Sequence, residues 1–480
     1  MTTLVWFRTD LRIADNPALA AAAADDAAIP VFIHAPAEEA PWAPGAASRW
    51  WLHHSLERLA EDLRGLGSRL ILRAADDSLR ELLALASACG ARRVVWNRRY
   101  EPAAIARDKQ IKTALRAAGI AADSFNAALL HEPWNVANKS GAPYQVFTPF
   151  WRHCLSLAAP DEPLEAPALL PAPPAWPQSL EPAALSLLPR IDWAGGLRGA
   201  WTPGGRGAEH CLDAFLGEAF TAYTERRNRP DLAGTSRLSP HLHFGEIGPR
   251  RVWQAARRFA RARGLEDSWQ QSQFLTEIGW REFAHHLLYH FPHTPAEPLR
   301  ASFAMFPWRD DPEALAAWRD GRTGYPIVDA GMRQLWRTGW MHNRVRMISA
   351  SFLVKDLLQP WTAGAAWFWD TLVDADLAAN TLGWQWVTGC GADAAPYFRI
   401  FNPSGQGAKF DPQGHYVRHY LPELARLPDE WIHEPWRAPP SVLHEAGIRL
   451  GVDYPFPTVD HGLARQRALQ ALALSKGAPL

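Results

Sequence analysis

Glu277, Trp280 and Arg281 stand at i, i+3 and i+4, so they share one face if their run is helical. A carboxylate, a broad ring and a fixed cation on one face can accept a hydrogen bond from a base edge, stack a base and hold a phosphate. The same triplet also describes a buried indole beside a solvated ion pair. In Gly339 to Met347, GWMHNRVRM, the residues Asn343, Arg346 and Met347 repeat the spacing. Basic residues on a helix are commonly its wet face, but the apolar and aromatic flanks here favour a lined pocket. The stretch DADLAANTLGWQW, Asp374 to Trp386, holds two acids two apart, an Asn and two Trp. A buried acid in such company needs a partner; a ring imide or a ribose hydroxyl would serve, and a helix-capping role for Asp374 is the alternative. GTSRLS, Gly234 to Ser239, offers hydroxyls and backbone donors in a turn leading to a helix. That suits an anion such as a pyrophosphate, or ordinary capping.

These residues need a scaffold, and the sequence supplies two kinds. Short apolar runs at Leu4 to Phe7, Ile29 to Ile33, Leu70 to Leu72, Val94 to Trp96 and near Ile120 alternate with helical stretches. The clearest helix carries Leu52, Leu56, Leu59, Leu63 and Leu66 on one face and stops at Gly67. Repeated strand and helix units with nearly continuous apolar strands predict an α/β domain, a doubly wound parallel sheet covered on both faces, over residues 1–130. Residues 131–204 read as an interdomain linker, because Pro160 to Pro203 holds ten prolines without sustained periodicity. From 205 to 480 the runs are helix-length, as in Ser268 to Tyr289 and Ala330 to Leu358, and an all-helical domain is expected.

The first strand runs from Phe7 straight into RTDLR, so the glycine fingerprint of a simple dinucleotide-binding fold is missing. No phosphate-binding P-loop and no HExxH-type metal motif occurs, and the four cysteines lack paired metal-ligand spacing, so no metal is expected. Lys+Arg and Asp+Glu are 50 each, so any nucleic-acid contact must use a local basic patch. No window approaches a membrane span and the N-terminal apolar run is too short for a signal peptide, so a cytoplasmic monomer is expected. The 24 Trp invite a role with planar ligands, although most must simply fill the core.

Taken together and in order, TSRLS, WREF (Trp280 to Phe283), GYPIVDA (Gly324 to Ala330), GWMHNRVRM, ASFLVKDLL (Ala350 to Leu358), DADLAAN, GWQW and DAAPYFRIFNP (Asp393 to Pro403) resemble the flavin domain of the photolyase/cryptochrome family. The start, VWFRTDLRIADNPAL, resembles that family's α/β antenna domain, so the likeness covers nearly the whole chain. The resemblance implies FAD in the helical domain. It places Tyr223, Thr235, Ser236, Arg237, Leu238 and Ser239 on the phosphate and ribose side, and Arg281, Asn343, Arg346, Asp374, Asp376 and Asn380 around the isoalloxazine and adenine. Phe274 stands where better-studied bacterial members have a Trp near the flavin. Trp384, Trp361 and Trp308 are implied as an electron relay. Glu277, Trp280 and Met347 are implied to receive a flipped pyrimidine dimer, with Arg227, Arg344 and Trp386 against double-stranded DNA.

The implied activity is light-driven repair of cyclobutane pyrimidine dimers by electron transfer from excited reduced FAD. A photoreceptor of the cryptochrome type is disfavoured because the chain ends soon after the flavin domain and because plant receptors carry an acid where Asn380 stands. Repair of (6-4) photoproducts is disfavoured because that subfamily has histidines at the positions of Asn343 and Met347. For the antenna, one known folate mode needs an Asn-Glu pair where this chain has Ala103 and Ala104. The run PWAPGAASRWWLHHSL resembles instead class III photolyases, in which a Trp at the position of Trp42 stacks on methenyltetrahydrofolate; that chromophore is therefore expected.

Overall fold

The computed structural model describes residues 1–265, 269–394 and 398–475. Five strands, β1 (Thr2–Phe7), β2 (Ala27–His34), β3 (Ile71–Ala74), β4 (Arg93–Asn97) and β5 (Ala121–Phe125), form one parallel sheet in the order β3-β2-β1-β4-β5. The chain winds outward from β1 in both directions, which is the doubly wound arrangement expected from the sequence. Leu4, Ile29, Val31, Ile71 and Val94 are fully buried, as a sheet covered on both faces requires. The leucine-lined helix is Ala46–Gly65, and Gly67 follows it at φ 74°.

The RTDLR segment fills the switch point where such a sheet usually opens a ligand crevice. Asp10 takes the Arg8 backbone N–H at 2.6 Å and the Asn97 amide at 2.6 Å, and Asn97 also donates to Asn16 at 2.7 Å. Arg8 reaches the Asn97 carbonyl, and Arg12 donates to the Gly245 and Ala127 carbonyls at 2.9 and 2.8 Å. Gly245 lies at φ 65°, and a Cβ there would stand 2.2 Å from the Thr9 carbonyl oxygen. Only a glycine lets the two backbones approach this closely.

The chain divides into two compact units that do not follow chain order. The first is Met1–Phe220 with Ser236–Pro292 and Val373–Leu377, and the second is Thr221–Thr235 with His293–Leu372 and Ala378–Leu480. The stretch expected as a linker belongs to the first unit and is not bare chain. It contains the helix Phe147–Ser156, with Phe147, Phe150, Trp151 and Cys154 buried. Its proline-rich part holds only a short 3-10 turn and the helix Gly195–Ala200. The proline density correctly signalled irregular chain, but buried aromatics dock the segment. The later run expected as one long helix is broken. Pro326–Thr338 ends at Gly339 in the left-handed region, Asn343–Ser351 restarts, and Phe352–Asp356 widens into a π turn.

A second buried polar knot ties the first unit. Glu246 accepts the Trp51 indole N–H at 2.9 Å and the Gly204 N–H at 2.7 Å, and pairs with His241. Burial pushes the His241 imidazole down, but the Cys211 sulfur and the Glu246 carboxylate outweigh it and set its pKa at about 9. Raised above its unfolded value of 6.5, this group contributes stability that is complete below pH 6.5 and is lost as pH rises through 9. The contribution is on the order of 3 kcal/mol. Denaturant titrations at pH 6.5 and pH 9.5 should show this loss in the native protein, and Glu246→Gln should flatten it.

Candidate functional site

In the first unit the helix Gln273–His290 begins at Ser272, whose side chain caps the Leu275 N–H. It places Glu277, Trp280 and Arg281 on one stripe, as their spacing predicts. The Gln273 amide donates to Glu277 at 2.8 Å. Trp280 is half-buried and lies flat on Phe147, centroids 3.9 Å apart and planes at 7°, while Phe283 meets it edge-on. Arg281 donates to the Ala128 carbonyl at 2.6 Å. Glu282, buried next to it, accepts the Leu130 and His131 N–H groups, so the helix is pinned to the chain that follows β5.

Asp376 is gathered into the same unit. His285 Nε2 stands 3.4 Å from its carboxylate and His243 Nδ1 3.8 Å. Burial works against ionisation of Asp376, but these two imidazoles prevail and hold its carboxyl well below the usual range. Burial likewise opposes charge on His285, and Asp376 raises it. The other ring nitrogen of His285 meets the Arg281 carbonyl at 3.0 Å, so Arg281 and Asp376 are coupled through one imidazole. Asp374 is buried at 7% exposure, and its carbonyl accepts the Asp376 N–H at 2.7 Å in a tight turn.

GTSRLS does form a turn into a helix, Ser239–His243. Arg237 takes the left-handed conformation at φ 53°, and its guanidinium covers the Trp201 ring at 4.1 Å. Ser236 Oγ lies 3.4 Å from the Leu238 N–H, and Leu238 is buried. Phe274 packs among Phe215 and Phe220, centroids 4.6 and 5.9 Å away, and is 5% exposed. Trp42 is half-buried, and its N–H donates to the Glu39 carbonyl at 2.8 Å.

In the second unit the helix Asn343–Ser351 puts Asn343, Arg346 and Met347 on one stripe, with Asn343 exposed and the other two half-buried. Arg346 donates to the Met341 carbonyl at 2.7 Å and faces the Trp340 ring at 5.9 Å. Arg344 holds Asn228 Oδ1 at 2.8 Å and lies over Phe410, while the neighbouring Arg227 lies over Tyr223. His342 registers this cation cluster: burial first, then Arg344, Arg346 and Arg227, lower its pKa to about 4. The neutral ring caps the Arg344 N–H. Thr235 is also in this unit and half-buried.

The helix Leu377–Thr388 carries Asn380, Trp384 and Trp386. Asn380 donates to the Ala365 carbonyl at 3.1 Å. Trp384 is 2% exposed and presses on Gly364, where a Cβ would come within 2.1 Å of the indole. Trp361 is 4% exposed, whereas Trp308 and Trp386 are half-buried. Trp308 adjoins Phe306 at 4.4 Å. Of DAAPYFRIFNP, residues Ala395 to Tyr397 lie outside the described residues.

Several residues escaped the sequence reading. His243, His285 and Phe147 prepare Asp376 and Trp280, yet a histidine or phenylalanine in an apolar run carries no sequence signal of such a role. Lys355, in the π turn, is 1% exposed; it donates to the Thr388 carbonyl at 2.6 Å and sits 2.8 Å over the Phe398 ring. Burial drives its pKa well below the usual value. A lysine inside the apolar run SFLVKDLL is the one signal that could have been noticed. Among the described residues no helix is long and apolar enough to cross a membrane.

Comparison with known proteins fits this arrangement. Residues 3–171 match the DNA photolyase family and residues 274–474 the FAD binding domain of DNA photolyase. The chain is 50% identical to a deoxyribodipyrimidine photo-lyase of Agrobacterium fabrum over 98% of each chain. It is 44% identical to cryptochrome-1 of Arabidopsis thaliana over 98% of this chain and 70% of that protein. Among solved structures, a bacterial class III photolyase from Agrobacterium tumefaciens superposes with a TM-score of 0.94 at 49% identity, covering 99% of this chain and 98% of that one. With a parallel α/β domain leading into a helical FAD-binding domain, and full-length relatives at this identity, the chain belongs to the photolyase/cryptochrome family.

Proposed function

We propose that this protein repairs cyclobutane pyrimidine dimers in DNA with light, as a cytoplasmic monomer that binds FAD. The observation that carries the reading is the Glu277 and Trp280 pair on one helical stripe, with the indole held flat by Phe147 at 3.9 Å. Among the described residues no other ring stacks on Trp280, so its second face suits a flat base. Such stacking is worth roughly 1 to 3 kcal/mol per base. Flipping a dimer out of the duplex costs a few kcal/mol, least at a site that already stacks poorly. Glu277 accepts from a base edge as a carboxylate, and in its carboxyl O–H form donates to a carbonyl oxygen of the lesion and so stabilises the negative charge that the lesion acquires. Asn343 and Met347 also serve the lesion, and Arg227, Arg344 and Trp386 meet the DNA strand.

The residues present fit FAD. Asp376 stays ionised between two imidazoles and can accept from a hydroxyl or an imide N–H. Asp374 is a second buried carboxyl, and Thr235, Ser236 and Ser239 offer hydroxyls that suit a diphosphate. Tyr223, Arg237, Leu238, Phe274, Arg281, Arg346 and Asn380 are the further residues that the family resemblance assigns to FAD. Bound in its reduced form, FAD would supply on absorbing light the electron that opens the cyclobutane ring, and would regain it afterwards. Trp384, Trp361 and Trp308 conduct an electron inward to restore the reduced state, an assignment supported by their progression from deep burial to partial exposure. Trp42 stacks on a methenyltetrahydrofolate antenna.

The deciding experiment illuminates the FAD-loaded, reduced protein with one oligonucleotide carrying a thymine dimer and another carrying a (6-4) product. Light-dependent loss of the thymine dimer alone is expected. A protein that photoreduces its flavin but leaves both lesions intact would be a photoreceptor of the kind its 44% identity to a plant cryptochrome allows.

Trp308→Phe should abolish photoreduction of oxidised FAD in a flash-photolysis assay and leave repair by pre-reduced protein nearly intact, because the two electron paths are separate. Normal photoreduction in that variant would assign the terminal step to another indole.

Trp42→Ala should weaken folate retention about ten- to a hundredfold, the equivalent of one lost stacking contact. Near-ultraviolet absorbance after gel filtration of reconstituted protein checks this, and retention equal to the native protein would remove Trp42 from the antenna site.

A further inference from the structure

Behind the helix that carries Glu277 and Trp280, the first unit encloses a cavity of about 80 Å³, walled by Trp151, Trp253 and Trp269. Trp151 packs directly on that helix: a Cβ at Gly279 would stand 2.6 Å from its ring. The three indoles meet edge to face, with centroids 6.2 Å apart for Trp151 and Trp253 and 4.9 Å for Trp253 and Trp269. Leu155 and Leu157 add apolar wall.

Two polar groups here lack partners. Trp253 is 4% exposed, and its indole N–H is buried without any acceptor. Buried indole N–H groups normally find one, because an unsatisfied donor is costly. One turn along the same helix, Pro249–Ala262, Arg257 is half-buried on the cavity wall and makes no hydrogen bond or ion pair with the described residues. At i and i+4 the two donors lie on one helical face. Among the described residues, the other titratable groups on the wall carry no negative charge beside Arg257. Burial and His153 lower the His131 pKa, keeping that imidazole neutral, and burial raises the Cys154 thiol so that it stays protonated.

We propose that this cavity binds a small organic monocarboxylate. The carboxylate takes the Arg257 guanidinium and the Trp253 N–H, and a short carbon tail lies against Trp151, Trp269 and the leucines. A single cation beside neutral walls selects a monoanion over a phosphate dianion, and the planar guanidinium fork matches a carboxylate. The volume admits roughly four to six heavy atoms, well short of the ~150 Å³ cavity that takes a benzene ring. None of the residues that line it is among those assigned to FAD, DNA or the antenna.

Calorimetric titration of the FAD-loaded protein with propionate, beside propionamide as the neutral isostere, tests it. Saturable one-site binding of propionate at millimolar concentration is expected, with propionamide at least tenfold weaker. Arg257→Gln and Trp253→Phe should each weaken propionate at least tenfold while FAD content and dimer repair stay at native levels, which shows that both variants fold. Equal binding of propionate and its amide, native affinity in Arg257→Gln, or no saturable heat with propionate would each overturn the proposal. If Trp253→Phe lowers FAD content, Arg257→Gln alone decides.

Discussion

The buried polar knot behind β1 is the constraint on which the first unit depends. An arginine and an aspartate placed immediately after a sheet strand would each be costly to bury alone. Here Arg8, paired with Asp108, joins Asp10, Arg12, Asn16 and Asn97 in one hydrogen-bonded network that also reaches the carbonyls of Ala127 and Gly245. The knot occupies the switch point between β1 and β4, where a sheet of this type would otherwise open its ligand crevice. The fold thus keeps the doubly wound frame while closing the place that the frame usually offers to a dinucleotide. It also fixes the segment around Gly245, and with it the Ser239–His243 helix that carries His243 toward Asp376.

Histidine is the second recurring device. His241 is charged between Cys211 and Glu246, His285 is shifted toward its charged form by Asp376 against the effect of burial, and His342 is kept neutral by burial and three arginines. One residue type thus serves as cation, as orienting donor and as neutral cap, and the environment alone decides which. The same logic applies to Lys355, which among the described residues has a carbonyl at 2.6 Å and an aromatic face at 2.8 Å in place of an acidic partner, while burial drives its pKa well below the usual value.

Much of this was legible in the chain. Leu4, Ile29, Ile71 and Val94 announced strands through short apolar runs. The i, i+3, i+4 spacings at Glu277 and Asn343 placed those side chains on shared helical faces. What stayed hidden is long-range. Phe147 lies 133 residues from Trp280, and nothing local in FTPFW says that its ring will lie under that indole. Proline density at Pro160 to Pro203 signalled irregular backbone, but composition cannot tell a solvated tether from a segment docked by Leu170, Leu185, Leu197 and Trp201. The breaks at Gly339 and in the Phe352–Asp356 turn were masked because apolar periodicity continues across them.

The contact between Gly364 and Trp384 bears on what variation the protein can carry. Helix Trp361–Thr371 is shaped around an indole that leaves no room for even a methyl group, since a Cβ at position 364 would fall 2.1 Å from that ring. Any replacement must displace either the helix or the tryptophan. A residue with no side chain thus fixes where one of the largest side chains sits, and variation at position 364 is limited by the indole it faces rather than by its own helix.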